Sequence, residues 1–291
     1  MLKLDSLAAR PPQLILAAFT NRSDVQTLSG FAKENKVPLL SMTLPNDGGV
    51  VDNPYFFMAN PGLKTQVEHL CRYLQKNHPL ETIQLVTRKG LLEEQVLGHF
   101  AQFNKQTKGS PLKFNTTTLP DSVSAAALWQ NLDSTQAQVM VGASLQDAFA
   151  TQLLRITGNS RNKKIKLLGM PTWENLRETP KEADFVYATA FSYNRNDAWI
   201  VQLTQKYRDQ IFGRPSDMVL KGFEALFHFG QLLSLYPNDF LAHINDGQFL
   251  LSNQFQFLPV RNKNNAAQND YFENKQVYFL RKAKGEIRKL E

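Results

Sequence analysis

The chain of 291 residues has almost no cysteine, no long apolar run, and none of the short signatures that hold metals or nucleotides. Its one cysteine, Cys71, excludes an internal disulfide. Val67, Leu70, Cys71 and Leu74 follow the spacing i, i+3, i+4, i+7, so the thiol is expected on the buried face of a helix rather than as a reactive group. A lone cysteine leaves the redox compartment open. No apolar stretch approaches the roughly 18 to 20 residues that a membrane-crossing helix needs. The opening residues, Met1 to Arg10, hold no apolar segment of the kind an export signal requires. As written, the chain is expected to be intracellular or to lack its beginning.

The missing motifs narrow the chemistry. The histidines at 69, 78, 99, 228 and 243 form neither an HExxH pair nor a Cys/His cluster, so no metal is expected. GxxxxGK[ST] and GxGxxG are absent, which argues against nucleotide hydrolysis and dinucleotide binding, and no cofactor is expected. No GxSxG elbow places a serine for nucleophilic attack. Glu224 and His228 stand at i, i+4 on one expected helix, where a side-chain contact outweighs a catalytic role. An enzyme is the last-ranked class.

What is present is ordinary for a globular protein, with 42% hydrophobic and 20% charged residues. The net charge of +7 comes from scattered Lys and Arg, with small clusters at 161–166 and 281–284. A nucleic-acid face would interleave basic residues with aromatics. The first cluster instead reads as the loop before a strand and the second trails the C-terminus, so a solvated surface is expected and no nucleic-acid partner.

Residues 138–173 carry the clearest organisation. Val139, Met140 and Val141 form an apolar run ending at Gly142, and Phe149, Leu153 and Ile156 recur at helical spacing. A second run, Ile165 to Leu168, ends at Gly169. Strand, helix, strand is a βαβ unit, whose crossover is right-handed. In open parallel sheets ligands lie beyond the carboxyl ends of the strands. Those ends are here Gly142-Ala143-Ser144 and Gly169-Met170-Pro171-Thr172-Trp173, which are expected to form one wall of a site.

Along the rest of the chain, a helix tail is expected over Leu4–Ala9, before Pro11-Pro12. Strands are expected over 14–19, 37–40, 55–58, 82–87, 112–116, 185–191, 255–257 and 277–280. Helices are expected over 63–76, 91–103, 124–132, 198–212 and 217–235, and Ser23 is expected to cap a helix carrying Val25, Leu28 and Ala32. The polar, Asn-rich stretch 261–269 reads as a loop. The alternation gives an α/β protein with parallel sheets flanked by helices, and the helix pair near 197–245 suggests a chain that leaves one lobe and then returns to it. The expected division is 1–78 with 195–245 as lobe I and 79–194 with 246–291 as lobe II, hinged near His78-Pro79, Tyr193-Asn194 and Asn245-Asp246.

Polar and aromatic residues recur at the strand ends: Thr20, Asn21, Ser41, Thr43, Arg88, Ser144, Thr172, Trp173, Phe191 and Tyr193. Hydroxyls and amides there can bond a carboxylate or amine, and an aromatic can cover an apolar body. Each alone also reads as a cap or loop residue, and Thr87-Arg88-Lys89-Gly90 reads as a solvent-facing basic turn or an anion site.

Several phrases resemble the type I periplasmic binding proteins, the leucine-binding and receptor-ligand-binding group. They are Phe31-Ala-Lys-Glu-Asn-Lys-Val-Pro-Leu-Leu-Ser41, Asn53-Pro-Tyr-Phe-Phe57, Phe212-Gly-Arg-Pro-Ser216 and Lys221-Gly-Phe-Glu-Ala225. The ending, Asn269 to Phe279, is similar to a cell-envelope branch in which some members carry LysM modules. The resemblance implies two Rossmann-like lobes joined by three crossings and a non-catalytic protein that clamps a small polar ligand, an amino acid or cell-wall fragment, between them. It implies first-lobe contacts at Thr20–Ser23 and Ser41–Thr43, and second-lobe contacts around Ser144 and Trp173. It further implies a periplasmic or envelope location, with an ABC permease or cell-wall proteins as partners. The family has further elements before the counterpart of Leu14, so the first lobe is expected to be incomplete. The alternative is a ligand-independent interaction module that regulates cell-wall synthesis.

Overall fold

A computed structural model describes residues 9–290, apart from 122, 131, 133–137, 160–163, 177–178, 263 and 266. The helix expected over Leu4–Ala9 lies, but for Ala9, outside these residues, as do positions 161–163 of the first basic cluster.

The chain divides into two compact units and passes between them three times. One comprises residues 1–62 and 190–276, the other 63–189 and 277–291. The first holds β1 (Ile15–Ala17), α1 (Arg22–Asn35), β2 (Leu39–Ser41) and β3 (Phe56–Met58). In the second follow α2 (Leu63–Asn77), β4 (Thr82–Arg88), α3 (Leu91–Gln106), β5 (Lys113–Leu119), α4 (Ala125–Trp129), β6 (Gln138–Gly142), α5 (Asp147–Gly158), β7 (Ile165–Gly169), a 3-10 turn (Pro171–Asn175) and β8 (Asp184–Thr189). The chain then returns to the first unit with α6 (Ala198–Ile211), α7 (Asp217–Leu235), a 3-10 turn (Phe240–His243), β9 (Phe257–Arg261) and β10 (Asn269–Asn274). It ends in the second with β11 (Tyr278–Ala283) and β12 (Glu286–Leu290).

In the first unit the strand order is β1-β2-β3-β10-β9, with only β9 antiparallel to its neighbour. Successive side chains of a strand face opposite ways, and here both ways are apolar. Leu39, Phe56 and Met58 pack with Val25, Leu28, Phe31 and Ala32 of α1. Leu40 and Phe57 pack with Ala225, Phe229 and Leu232 of α7. Pro259 sits in the edge strand β9, where its missing N–H costs the ladder least. The α1 helix begins at Asn21, whose side chain accepts from the Asp24 N–H at 2.9 Å. Ser23, expected to be the cap, is the second residue of the helix.

The second unit's sheet runs β12-β11-β8-β7-β6-β4-β5. Its five central and outer strands β8, β7, β6, β4 and β5 are parallel, and β11 and β12 add antiparallel strands. One continuous core joins Val67, Leu70, Cys71 and Leu74 of α2 to Ile83, Leu85, Met140, Val141, Leu153, Leu167 and Phe185. Burial pushes the Cys71 thiol well above its ordinary range, as expected for a core cysteine.

These packing partners correct the expected division. The α2 helix, placed by sequence in the first lobe, buries its apolar face in the second unit's core. Residues 246–276, placed in the second lobe, contribute β9 and β10 to the first unit's sheet. The crossings therefore fall at 62/63, 189/190 and 276/277 rather than at the three expected hinges. A strand expected over 255–257 begins only at Phe257. Within the stretch expected as a loop, residue 269 already opens β10.

Candidate functional site

In the first unit, parallel pairing aligns Ala17 with Ser41 and Ser41 with Met58, so the loops that follow these strands leave along one edge. Backbone bonds tie them together, Met42 N–H to the Ala17 carbonyl at 2.8 Å and Ala59 N–H to the Ser41 carbonyl at 2.9 Å. The Thr43 hydroxyl donates to the Phe19 carbonyl at 2.6 Å, and Asn60 donates its amide to the Thr43 carbonyl. Lys221, a buried residue of α7, donates to Asn60 Oδ1 at 2.9 Å, and its ammonium sits 3.7 Å from the centroid of the Phe191 ring. Ser41 is fully buried, and its hydroxyl has no hydrogen-bond partner among the described residues.

One turn further along α7, Glu224 is also fully buried and fully engaged. It accepts from the Ser252 and Asn253 N–H groups, each at 2.7 Å, from Asn253 Nδ2 at 2.7 Å, and from the Tyr193 hydroxyl at 3.0 Å. The carboxylate thus holds the 252–253 loop and fixes Tyr193. No bond joins it to His228, whose ring instead stacks on Phe255. Of the residues expected here, Ser41, Thr43, Phe191 and Tyr193 lie in or beside this bonded set. Thr20, Asn21 and Ser23 are exposed, and Asn21 is committed to the helix cap. Asn60, Lys221 and Glu224 were not singled out for this place. The available signal was the spacing of Lys221, Glu224 and His228, which share one helical face.

In the second unit, the register aligns Val86 with Gly142 and Gly142 with Gly169, which again places the strand-end loops on one edge. The Ser144 hydroxyl donates to Glu93 Oε1 at 2.7 Å and accepts from the Gln146 N–H at 3.2 Å. Glu93 stands in the first turn of α3, where the helix dipole favours a negative charge. A Cβ on Gly90, the residue before α3, would lie 2.2 Å from Glu93 Oε2, so only glycine admits the carboxylate there. Arg88 reaches Asp121 at 3.4 Å and Glu93 at 3.8 Å, and also bonds Gln146. Trp173 is 2% exposed and donates its indole N–H to the Ser144 carbonyl at 3.4 Å. Its ring fills the space beside Gly142 and Gly169, where added Cβ atoms would come within 2.4 and 2.3 Å of it.

Arg88, Ser144 and Trp173 are therefore brought together, on each other and on Glu93. Trp173 is a core side chain rather than an exposed cover. The Thr172 hydroxyl, beside it, is buried without a partner among the described residues. Among those residues no group of acidic, histidine or cysteine side chains could hold a metal. No helix among them is long and apolar enough to cross a membrane.

Comparison with known proteins matches this architecture. A family model described as periplasmic binding protein matches residues 13–238. None of the curated proteins matches the chain. Among solved structures, a branched-chain amino acid ABC transporter periplasmic ligand-binding protein from Burkholderia xenovorans superposes with a TM-score of 0.67 at 12% identity, over 100% of this chain and 81% of that one. An ABC transporter substrate-binding protein from Desulfitobacterium hafniense in complex with Leu gives 0.64 at 12% identity, over 99% and 83%. An ABC transporter protein from Rhodospirillum rubrum, a putative one for branched-chain amino acids by its own description, gives 0.65 at 14%, over 99% and 92%. With the two parallel-stranded sheets, their strand-end loops and a family match over most of its length, the chain belongs to the periplasmic binding protein family.

Proposed function

We propose that the chain is a non-catalytic solute-binding protein of the cell envelope that closes its two units on a small polar ligand, an amino acid or a cell-wall fragment. The observation that carries this reading is the Ser41 hydroxyl, fully buried at the end of β2 with no partner among the described residues. A buried polar group left unpaired costs about 1–3 kcal/mol, and a ligand that reaches this hydroxyl would supply the missing bond. Thr172 presents a second such hydroxyl at a strand end of the other unit. The solved structures with Leu or isoleucine bound belong to proteins of the same fold, and branched-chain amino acids head the ligands to try. An ABC permease would then be the receiving partner.

The test is a thermal-shift screen of branched-chain amino acids and soluble peptidoglycan fragments. A true ligand at a hundred times its Kd adds about 2.7 kcal/mol to the folded state. Ser41→Ala should abolish that shift while leaving the unliganded protein as stable or more so. A folded chain that responds to none of these compounds overturns the reading.

A second reading has its own support. Ser144 and Trp173 spend their polar atoms on Glu93 and the backbone, as in a module that needs no ligand and instead contacts proteins of cell-wall synthesis. The same screen separates the two, because this reading expects no shift from any compound.

A further inference from the structure

The α7 helix has its polarity reversed. Its charged and titratable residues beyond the first turn, Lys221, Glu224 and His228, are all buried, whereas Met218, Phe223, Leu226 and Phe227 are exposed. A surface helix normally turns its apolar stripe inward and its charges outward. Here the inward face is already filled by the buried Lys and Glu with their partners, and by Ala225, Phe229 and Leu232 in the core. The outward face is left apolar from Gly222 to Phe227, with Leu226 66% exposed at its centre. Phe223 extends it by stacking on Trp199 of α6, with ring planes 11° apart.

From this face we infer that α7 is the contact helix of a homodimer. The occupant is a second copy for three reasons. The outward face carries no charged side chain, so two copies can meet there despite the net charge of +7 on each chain. Its relief also fits itself. Gly222, Leu226 and Gly230 form one i, i+4, i+8 ridge, and around both glycines a Cβ would meet nothing within 4 Å. With a two-fold axis at the level of Glu224, Leu226 of each copy enters the notch at Gly222 of the other, the isologous pairing that a C2 contact demands. The extent is of the right order as well. Leu226, Phe223, Phe227, Met218 and Leu235, with Ile211 and Phe212 at the end of α6, are all exposed apolar side chains. Together they present on the order of several hundred Å², against the ~800 Å² per partner of a stable interface. A lipid surface would need no glycine notches, and an acidic partner would need exposed basic residues within the face.

Sedimentation equilibrium at up to about 100 μM tests the inference. The intact chain is expected at twice the 33.1 kDa of one copy. Leu226→Asp should weaken association about thirtyfold or more, the loss typical of a central contact. Gly222→Leu fills the notch in open space, so it should abolish the dimer while the monomer's thermal midpoint holds or rises, since glycine is the poorer helix former. A single-copy mass for the intact chain overturns the inference, as does a dimer that both variants leave intact. Flotation of a single-copy chain with phosphatidylglycerol vesicles also overturns it, in favour of a lipid surface.

Discussion

Ser144 donates its hydroxyl to Glu93 across 2.7 Å, with both residues buried and 51 positions apart in sequence. The pair joins the loop after β6 to the first turn of α3. Glu93 thus puts the protein's own carboxylate where a helix N-terminus most favours one.

Breaking that pair should be visible in stability. Hydrogen bonds to charged groups contribute about 1.5–3 kcal/mol, and a buried carboxylate left short of a donor costs more than a neutral group would. Ser144→Ala is therefore expected to lower the unfolding free energy by about 2 kcal/mol, and Glu93→Gln by less, because the amide oxygen still accepts. Urea denaturation of the three proteins checks the order. Equal midpoints would mean that the bond contributes nothing.

The packing of Trp173 makes a second, independent expectation. Gly142→Ala and Gly169→Ala each drive a methyl to within 2.4 and 2.3 Å of the indole ring. Overpacking of this kind costs about 1–3 kcal/mol, because the ring is 2% exposed and has little room to shift. Gly98→Ala is the control. It lies inside α3 with nothing within 4 Å of the added methyl, and should gain up to about 1 kcal/mol. Differential scanning calorimetry should show the midpoint falling for the first two and rising for the third.

Periodicity made most of the elements legible, and partners distant in sequence explain what it missed. The runs Val139–Val141 and Ile165–Leu168 became β6 and β7, because an apolar stretch closed by glycine states its own length. The cap at Asn21 was misread as Ser23, since both residue types cap helices and only the backbone geometry selects between them. Trp173 at a strand end suggested a ligand cover, and the two glycines that admit it to the core stand 31 and 4 residues earlier. Glu93 gave no signal at all, because a glutamate in a first helical turn reads as a solvated end charge. Glu224 was paired with His228 by helical spacing, yet its bonds go to residues 252–253, a contact that no local pattern encodes. The misplacement of α2 has the same origin. Its apolar face was evident, and the sheet it would cover was not.

His228 itself should make stability depend on pH. It is fully buried against Phe229 and Phe255, and burial holds its pKa below the ordinary value, with the nearby Phe249 backbone offsetting only part of the shift. A histidine depressed in the folded state binds its proton more readily when unfolded. The unfolded chain therefore takes up more protons once the pH falls below about 6.5, and stability falls with it. The loss begins at the unfolded pKa and stops growing below the folded one, with a slope of up to about 1.4 kcal/mol per pH unit between them. His228→Phe keeps an aromatic ring in the stack and removes the titration. Its urea midpoint should match that of the parent at pH 8 more closely than at pH 5.5, where the variant should be the more stable. If the two proteins lose stability in parallel between those pH values, the acid sensitivity lies in other groups.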